Sequence, residues 1–206
     1  MYKTVSTSIT KYNQATYKDI RSYYVPLSLQ AIFQAFTYPL VAIVAARGIG
    51  GHLNIAAIAQ AHIILFFLLN FGAGLITSGM VYCTNKEGYR RFKILNRLFM
   101  FIILAAQIVC CIPQVAHVIF SSIMGLEGEF YDATYLAFLL SLPFPLMFNF
   151  RNVSLVVLLN AKKTGQAFSA SLSRIITTIL LSLFLTYCGL TGIFWAVVCQ
   201  TVPILF

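Results

Sequence analysis

Arg151-Asn152-Val153-Ser154-Leu155-Val156-Val157-Leu158-Leu159-Asn160-Ala161-Lys162-Lys163-Thr164-Gly165 is an apolar run closed by a short basic turn, and a second apolar run follows it through Arg174. Each arginine stands 11 residues from the nearer lysine of that turn. If both runs are helices, a rise of about 1.5 Å per residue puts both guanidinium groups roughly 16 Å from the turn, near the middle of a hydrocarbon core about 30 Å thick. No carboxylate lies in any apolar stretch of the chain. An ionisable side chain at that depth costs roughly 3 kcal/mol or more, so it is read as facing a partner or a watery cavity. Packing gives no reason to bury two like charges at one depth, and the pair therefore points to an anion site. The competing structural reading has the arginines capping carbonyls at a break near Pro143 and Pro145, or snorkelling toward the cytoplasm.

Composition extends this reading to the whole chain. Hydrophobic residues make up 60% of it and charged residues 9%, against about 25% charge in an ordinary soluble domain. These proportions describe an all-α, polytopic membrane bundle. The net charge of +9 does not indicate nucleic acid, because the basic residues sit in short connections between apolar runs rather than in a stripe interleaved with aromatics.

Charged and glycine-rich breaks divide the sequence into six expected spans, at about 23–46, 53–83, 95–120, 133–160, 166–188 and 191–206, preceded by a polar tail over 1–21. Pro143 and Pro145 predict a kink in the fourth span. Alternating the connections puts eleven lysines and arginines, from Lys3 to Lys163, on one side and Arg47 alone on the other. That asymmetry predicts a multi-pass protein of the cell membrane, inner or plasma, with a cytoplasmic N-terminus. The tail lacks an apolar core and is not a signal peptide. The last run stops at Val202-Pro203-Ile204-Leu205-Phe206 without a polar flank, which predicts a truncated span or one completed by another chain.

Polar residues within the runs fall on helical faces. Gln30, Gln34 and Thr37 share one side of the first span, Asn70 and Thr77 one side of the second, and Arg174, Thr178 and Ser182 one side of the fifth, while Asn149 and Asn152 flank Arg151. Together Arg151, Arg174, Gln30, Gln34, Asn70, Asn149, Asn152 and Thr178 form the expected substrate-binding set. For each neutral member taken alone, an interhelical hydrogen bond is the alternative role. His62 lies inside the second span as a proton carrier or, more simply, a packed histidine. The five cysteines have no ligand spacing, and no metal or other cofactor is expected. Membrane-embedded enzymes need a carboxylate pair, metal ligands or a nucleophile beside a base, none of which the sequence offers, so no enzymatic activity is expected.

Val25-Pro26-Leu27, Gly72-Ala73-Gly74-Leu75, and Arg151-Asn152-Val153-Ser154-Leu155 running on to Asn160-Ala161-Lys162-Lys163-Thr164 carry a family resemblance. In the order proline, arginine, short polar turn, the chain resembles the N-terminal lobe of a MATE-type transporter, in the MOP flippase superfamily that also holds lipid-linked oligosaccharide flippases and progressive-ankylosis-like exporters. The resemblance implies one six-helix lobe, a second lobe or homodimer partner facing it, alternating access, and a small-molecule or lipid-linked substrate. The first span departs from the pattern of proton-coupled members in having no acidic residue. The arginine pair favours organic anions over cationic drugs. Lipid-linked saccharide flipping, or a non-transporting assembly module, are the alternatives.

Overall fold

Long apolar runs in a chain poor in charge satisfy their backbone groups internally as helices, and every regular element among the described residues is helical. The computed structural model describes residues 17–83 and 85–205, leaving the side chains of Asp19, Gln34, Ala73 and Leu205 outside the description. Helix α1 (Tyr17–Ala46) contains both Pro26 and Pro39. It begins inside the segment expected as a polar tail, while residues 1–16 lie outside the described residues. The chain then turns through Gly50 and Gly51, at φ 108° and 51°, into α2 (His52–Tyr82). The Asn54 amide fixes this corner by donating to the carbonyls of Ala45 and Ile49 at 3.2 and 3.0 Å.

Helix α3 (Lys86–Cys110) starts nine residues earlier than expected, because the Asn85 side chain accepts from the Gly88 amide at 2.7 Å and caps its first turn. It also ends earlier. The expected third span ran to 120, but Pro113 lacks an N–H and forces the preceding residue to extended backbone, with Ile112 at ψ 128°. A short helix, α4 (Pro113–Ala116), then widens into a π-helical segment, His117–Ile123.

The expected fourth span is two helices, α5 (Gly128–Leu140) and α6 (Phe144–Asn160), bent by 43° at the break. The kink falls where Pro143 and Pro145 predict it. The Asn149 amide donates to the Pro145 carbonyl at 2.8 Å and satisfies a group near the bend. Lys162, at φ 54°, makes the tight turn into α7 (Thr164–Tyr187), and the Lys163 amide closes it on the Leu158 carbonyl at 2.9 Å. The last run forms only α8 (Ile193–Thr201) and a 3-10 turn, Val202–Leu205. Four helices, α1, α2, α3 and α7, are long and apolar enough to cross a membrane, or five spans if the bent α5–α6 pair is one. The fold is that of a multi-pass helical membrane protein, with α8 shorter than a span.

Two sets of helices make up the bundle. Helix α1 packs most extensively on α7, with Phe33 and Phe168 ring centroids 5.7 Å apart, and α8 joins them. Helix α2 is the centre of the other set and packs on α5, α3 and α6. Phe120 and Phe138, both fully buried, anchor the core between the π-helical segment and α5. Gly79 lets α2 approach α3 and α6, since a Cβ there would stand 2.8 Å from the Phe92 ring and 2.9 Å from Val156. Along the chain α6 and α7 are neighbours, yet their mutual packing is sparse. A seam therefore runs between the two sets.

Within the first set, α1 and α8 are joined at one end by backbone alone. A Cβ on Gly48 would lie 2.3 Å from the Cα of Gly192, and the Gly192 amide donates to the Val44 carbonyl at 3.1 Å. Gly74, by contrast, has nothing within 4 Å of the same position. Gly48→Ala is expected to lower the melting temperature in detergent, at an overpacking cost of about 1–3 kcal/mol, while Gly74→Ala leaves it unchanged. Scanning fluorimetry of the two variants checks the contrast.

Candidate functional site

The bend at Pro143 and Pro145 and the tight Lys162-Lys163 turn together set the phase of α6 and α7, so that Arg151 and Arg174 face the seam. Arg151 occupies the middle of α6, and Arg174 is the eleventh residue of α7. Both line a cavity of about 210 Å³ whose wall also includes Gln30 from α1, Ser154 from α6, Ser171 from α7 and Ile204 from the 3-10 turn. A smaller cavity of about 40 Å³ adjoins it and shares both arginines, with Thr37, Tyr38, Phe66 and Gln200 on its wall. Residues of α1, α2, α6, α7, α8 and the 3-10 turn thus line two adjoining spaces around the arginine pair.

The electrostatics of this space are one-sided. Arg174 is 7% exposed and its Nε has no hydrogen-bond partner among the described residues. Arg151 is half-buried, and the two guanidinium groups lie close enough to repel each other. The ion pair formed among the described residues is Arg91–Glu87, far out on α3, so neither cavity arginine has a carboxylate there. The Pro145 carbonyl is already bonded by Asn149, and neither guanidinium bonds a described carbonyl. Besides Arg151, the side chain within electrostatic reach of Arg174 is the Tyr38 phenol, which is neutral in its ordinary state. Two cations therefore share a cavity with hydroxyls, amides and apolar walls.

The remaining residues of the expected set divide. Gln30 reaches the cavity, and its Oε1 is buried with no partner among the described residues. Gln34 follows it by one turn on the same helical face, but its side chain lies outside the described residues. Thr178 stands one turn beyond Arg174 and spends its hydroxyl on the Arg174 carbonyl at 2.9 Å. Asn149 points away, toward α2 and α3, where its backbone oxygen accepts from the Asn96 amide at 3.1 Å. Asn152 is buried outside the cavity wall, with its Nδ2 unpartnered among the described residues. Asn70 is exposed, one turn along α2 from Phe66, and does not line either cavity. His62 sits in an aromatic cluster, its ring centroid 6.3 Å from Tyr38 and 5.4 Å from Phe66. No group of His, Cys, Asp and Glu able to hold a metal ion occurs among the described residues.

Sequence reading left four polar contributors, Ser154, Ser171, Tyr38 and Gln200, out of the expected set. Ser171 lies one turn before Arg174's own turn on α7 and was legible as i−3 from it. Gln200 was legible only as a lone amide in the final apolar run, four residues from Ile204, which lines the same space.

No family model, no curated protein and no solved structure matches this chain.

Burial without a partner makes Arg174 a burden on the fold rather than a support, and the half-buried Arg151 shares its uncompensated charge. Replacing a buried charged group with an apolar one of similar size is often neutral or stabilising, by about 1–4 kcal/mol. Arg174→Met and Arg151→Met are therefore expected to melt at the same temperature as the wild type or several degrees higher in anion-poor detergent. A fall of several degrees in either variant would assign the guanidinium a structural role.

Proposed function

We propose that this chain is a MATE-like lobe of a secondary active transporter, working by alternating access, that holds the negative part of an organic anion between Arg151 and Arg174. The observation that carries the reading is the pair of uncompensated guanidinium groups on one cavity at mid-helix depth. An anion entering that space would replace charge repulsion with charge-assisted hydrogen bonds, each worth about 1.5–3 kcal/mol. The Ser154 hydroxyl and the Gln30 amide supply neutral donors around it, while the Ser171 hydroxyl already donates to the Ala167 carbonyl at 3.1 Å. A space of about 210 Å³ equals roughly seven waters at about 30 Å³ each, which suits a carboxylate or phosphate head rather than a whole drug-sized molecule.

The seam gives the reading its motion. Sparse contact between α6 and α7 lets the α1–α7–α8 set and the α2-centred set rock about the cavity, and a second lobe or a second copy would close it from the open side. The N-terminus and the basic connections face the cytoplasm in this reading, as the charge asymmetry indicates. One observation favours a second reading: apolar Met147, Phe150, Leu155 and Leu158 share the wall with the arginines, and Phe150 is 68% exposed. A lipid-linked phosphate, with its tail along that wall, fits this lining, so flipping of a lipid-linked saccharide is the alternative function.

Binding decides whether the arginines act on cargo. Isothermal titration of tricarboxylates and sugar phosphates against the purified protein is expected to give saturable binding for at least one of them. Arg151→Gln and Arg174→Gln each weaken it by roughly 10- to 100-fold, the value of one charged hydrogen bond. Binding that is unchanged in both variants overturns the proposal, and so does the absence of binding for every anion class, lipid-linked phosphates included.

A further inference from the structure

A groove of about 650 Å³, roughly three times the arginine cavity, lies on the outer flank of the α2–α3 hairpin and shares no residue with that cavity. Its wall changes character along its length. At one end stand Asn85 and Arg91, at the boundary where α3 begins; at the other stand Ile94, Leu95 and Leu98. Arg91, Leu95 and Leu98 are spaced i, i+4, i+7 and share a helical face, and the seven-residue step from the first to the last covers about 10 Å along the axis. Tyr82 and Ser78 line it from α2, and Glu87 and the buried Phe92 from α3. Ile94 and Leu98 are 60% and 54% exposed, so the apolar part of the groove lies open to whatever surrounds the helix.

Charge identifies the occupant. From Lys86 to Arg97 the helix carries five basic residues, Lys86, Arg90, Arg91, Lys93 and Arg97, against one acid, Glu87, a net of +4. All five are exposed. Arg91 donates to Glu87 one turn earlier, which holds its guanidinium at the mouth of the groove. That pair is 79% and 70% exposed, and such pairs are worth little in water, so a phosphate can take over the guanidinium at small cost. The remaining basic residues attract a net-negative headgroup near a membrane surface. A zwitterionic headgroup gains no such attraction.

We propose that this groove binds one anionic phospholipid, with its phosphate on Arg91 and an acyl chain along Ile94, Leu95 and Leu98. A groove that runs from a basic helix start into the apolar span matches the length order of a lipid, head first and chain inward. A water-soluble phosphate would use the mouth and leave the apolar walls empty. The site is independent of the arginine cavity and of the cargo it holds.

Native mass spectrometry of the protein in detergent, with phosphatidylglycerol, phosphatidylcholine or inorganic phosphate added, tests the assignment. The wild type is expected to retain one phosphatidylglycerol about tenfold more strongly than phosphatidylcholine, and to gain nothing from inorganic phosphate. Arg91→Gln removes the preference between the two lipids, and Leu95→Trp, which fills the groove, weakens both. Both side chains are exposed, so neither substitution disturbs the core, and an unchanged melting temperature confirms folding. Equal retention of the two lipids by the wild type, a preference that survives Arg91→Gln, or binding of inorganic phosphate alone would each overturn the proposal.

Discussion

An arginine inside hydrocarbon has to reach a counter-charge, a carbonyl, water or the interface, and much of this bundle is arranged around two arginines that have no counter-charge among the described residues. Arg151 and Arg174 enter the interior because the Lys162-Lys163 turn reverses the chain with equal lengths of helix on either side. They face one another's space because the α6 helix starts afresh at Phe144 after a 43° bend, which sets its rotation independently of α5. Had α5 and α6 been one straight helix, the phase of Arg151 would follow from the packing of the whole span. The break lets α5 pack on α2 while α6 turns its charged face to the seam.

The seam and the charge depend on each other. Closer packing of α6 on α7 would press two like charges together in a medium where their repulsion is strong. The apolar surface instead is buried on the two sides, α1 against α7 and α2 against α5, where small and aromatic residues fill the contacts. Gly48 and Gly192 join the end of α1 to the start of α8 by direct backbone contact, and the arginine cavity lies between α1, α6 and α7.

Much of this was legible in the sequence, for identifiable reasons. Charge-poor apolar runs and basic connections disclosed the membrane bundle, and Pro143 with Pro145 disclosed the bend, because each acts locally and needs no partner. The common cavity of Arg151, Arg174 and Gln30 followed from helical spacing once two helices of equal reach met at a turn. Other features depend on contacts that spacing does not encode. The early start of α3 comes from a cap at Asn85, and its early end from Pro113, whose effect hydropathy conceals among apolar neighbours. Asn149 and Asn152 flank Arg151 in sequence, yet a rotation of about 100° per residue turns each to another side, and the structure gives Asn149 to the bend and to Asn96. Asn54 carries no signal beyond its type, although it ties the α1–α2 corner.

The central claim is that the two arginines face a water-filled space that admits anions, and solvent access at those two positions tests it most directly. With the five native cysteines replaced, Arg151→Cys and Arg174→Cys would each be reconstituted in liposomes and exposed to a negatively charged, membrane-impermeant methanethiosulfonate reagent. The account predicts that both positions are modified from the aqueous phase, faster when the other arginine is retained than when it too is replaced by glutamine, since the remaining guanidinium draws the anionic reagent in. Protection of both thiols from the reagent, under conditions that modify an interfacial control such as Arg91→Cys, would contradict it and leave the pair as buried elements of packing.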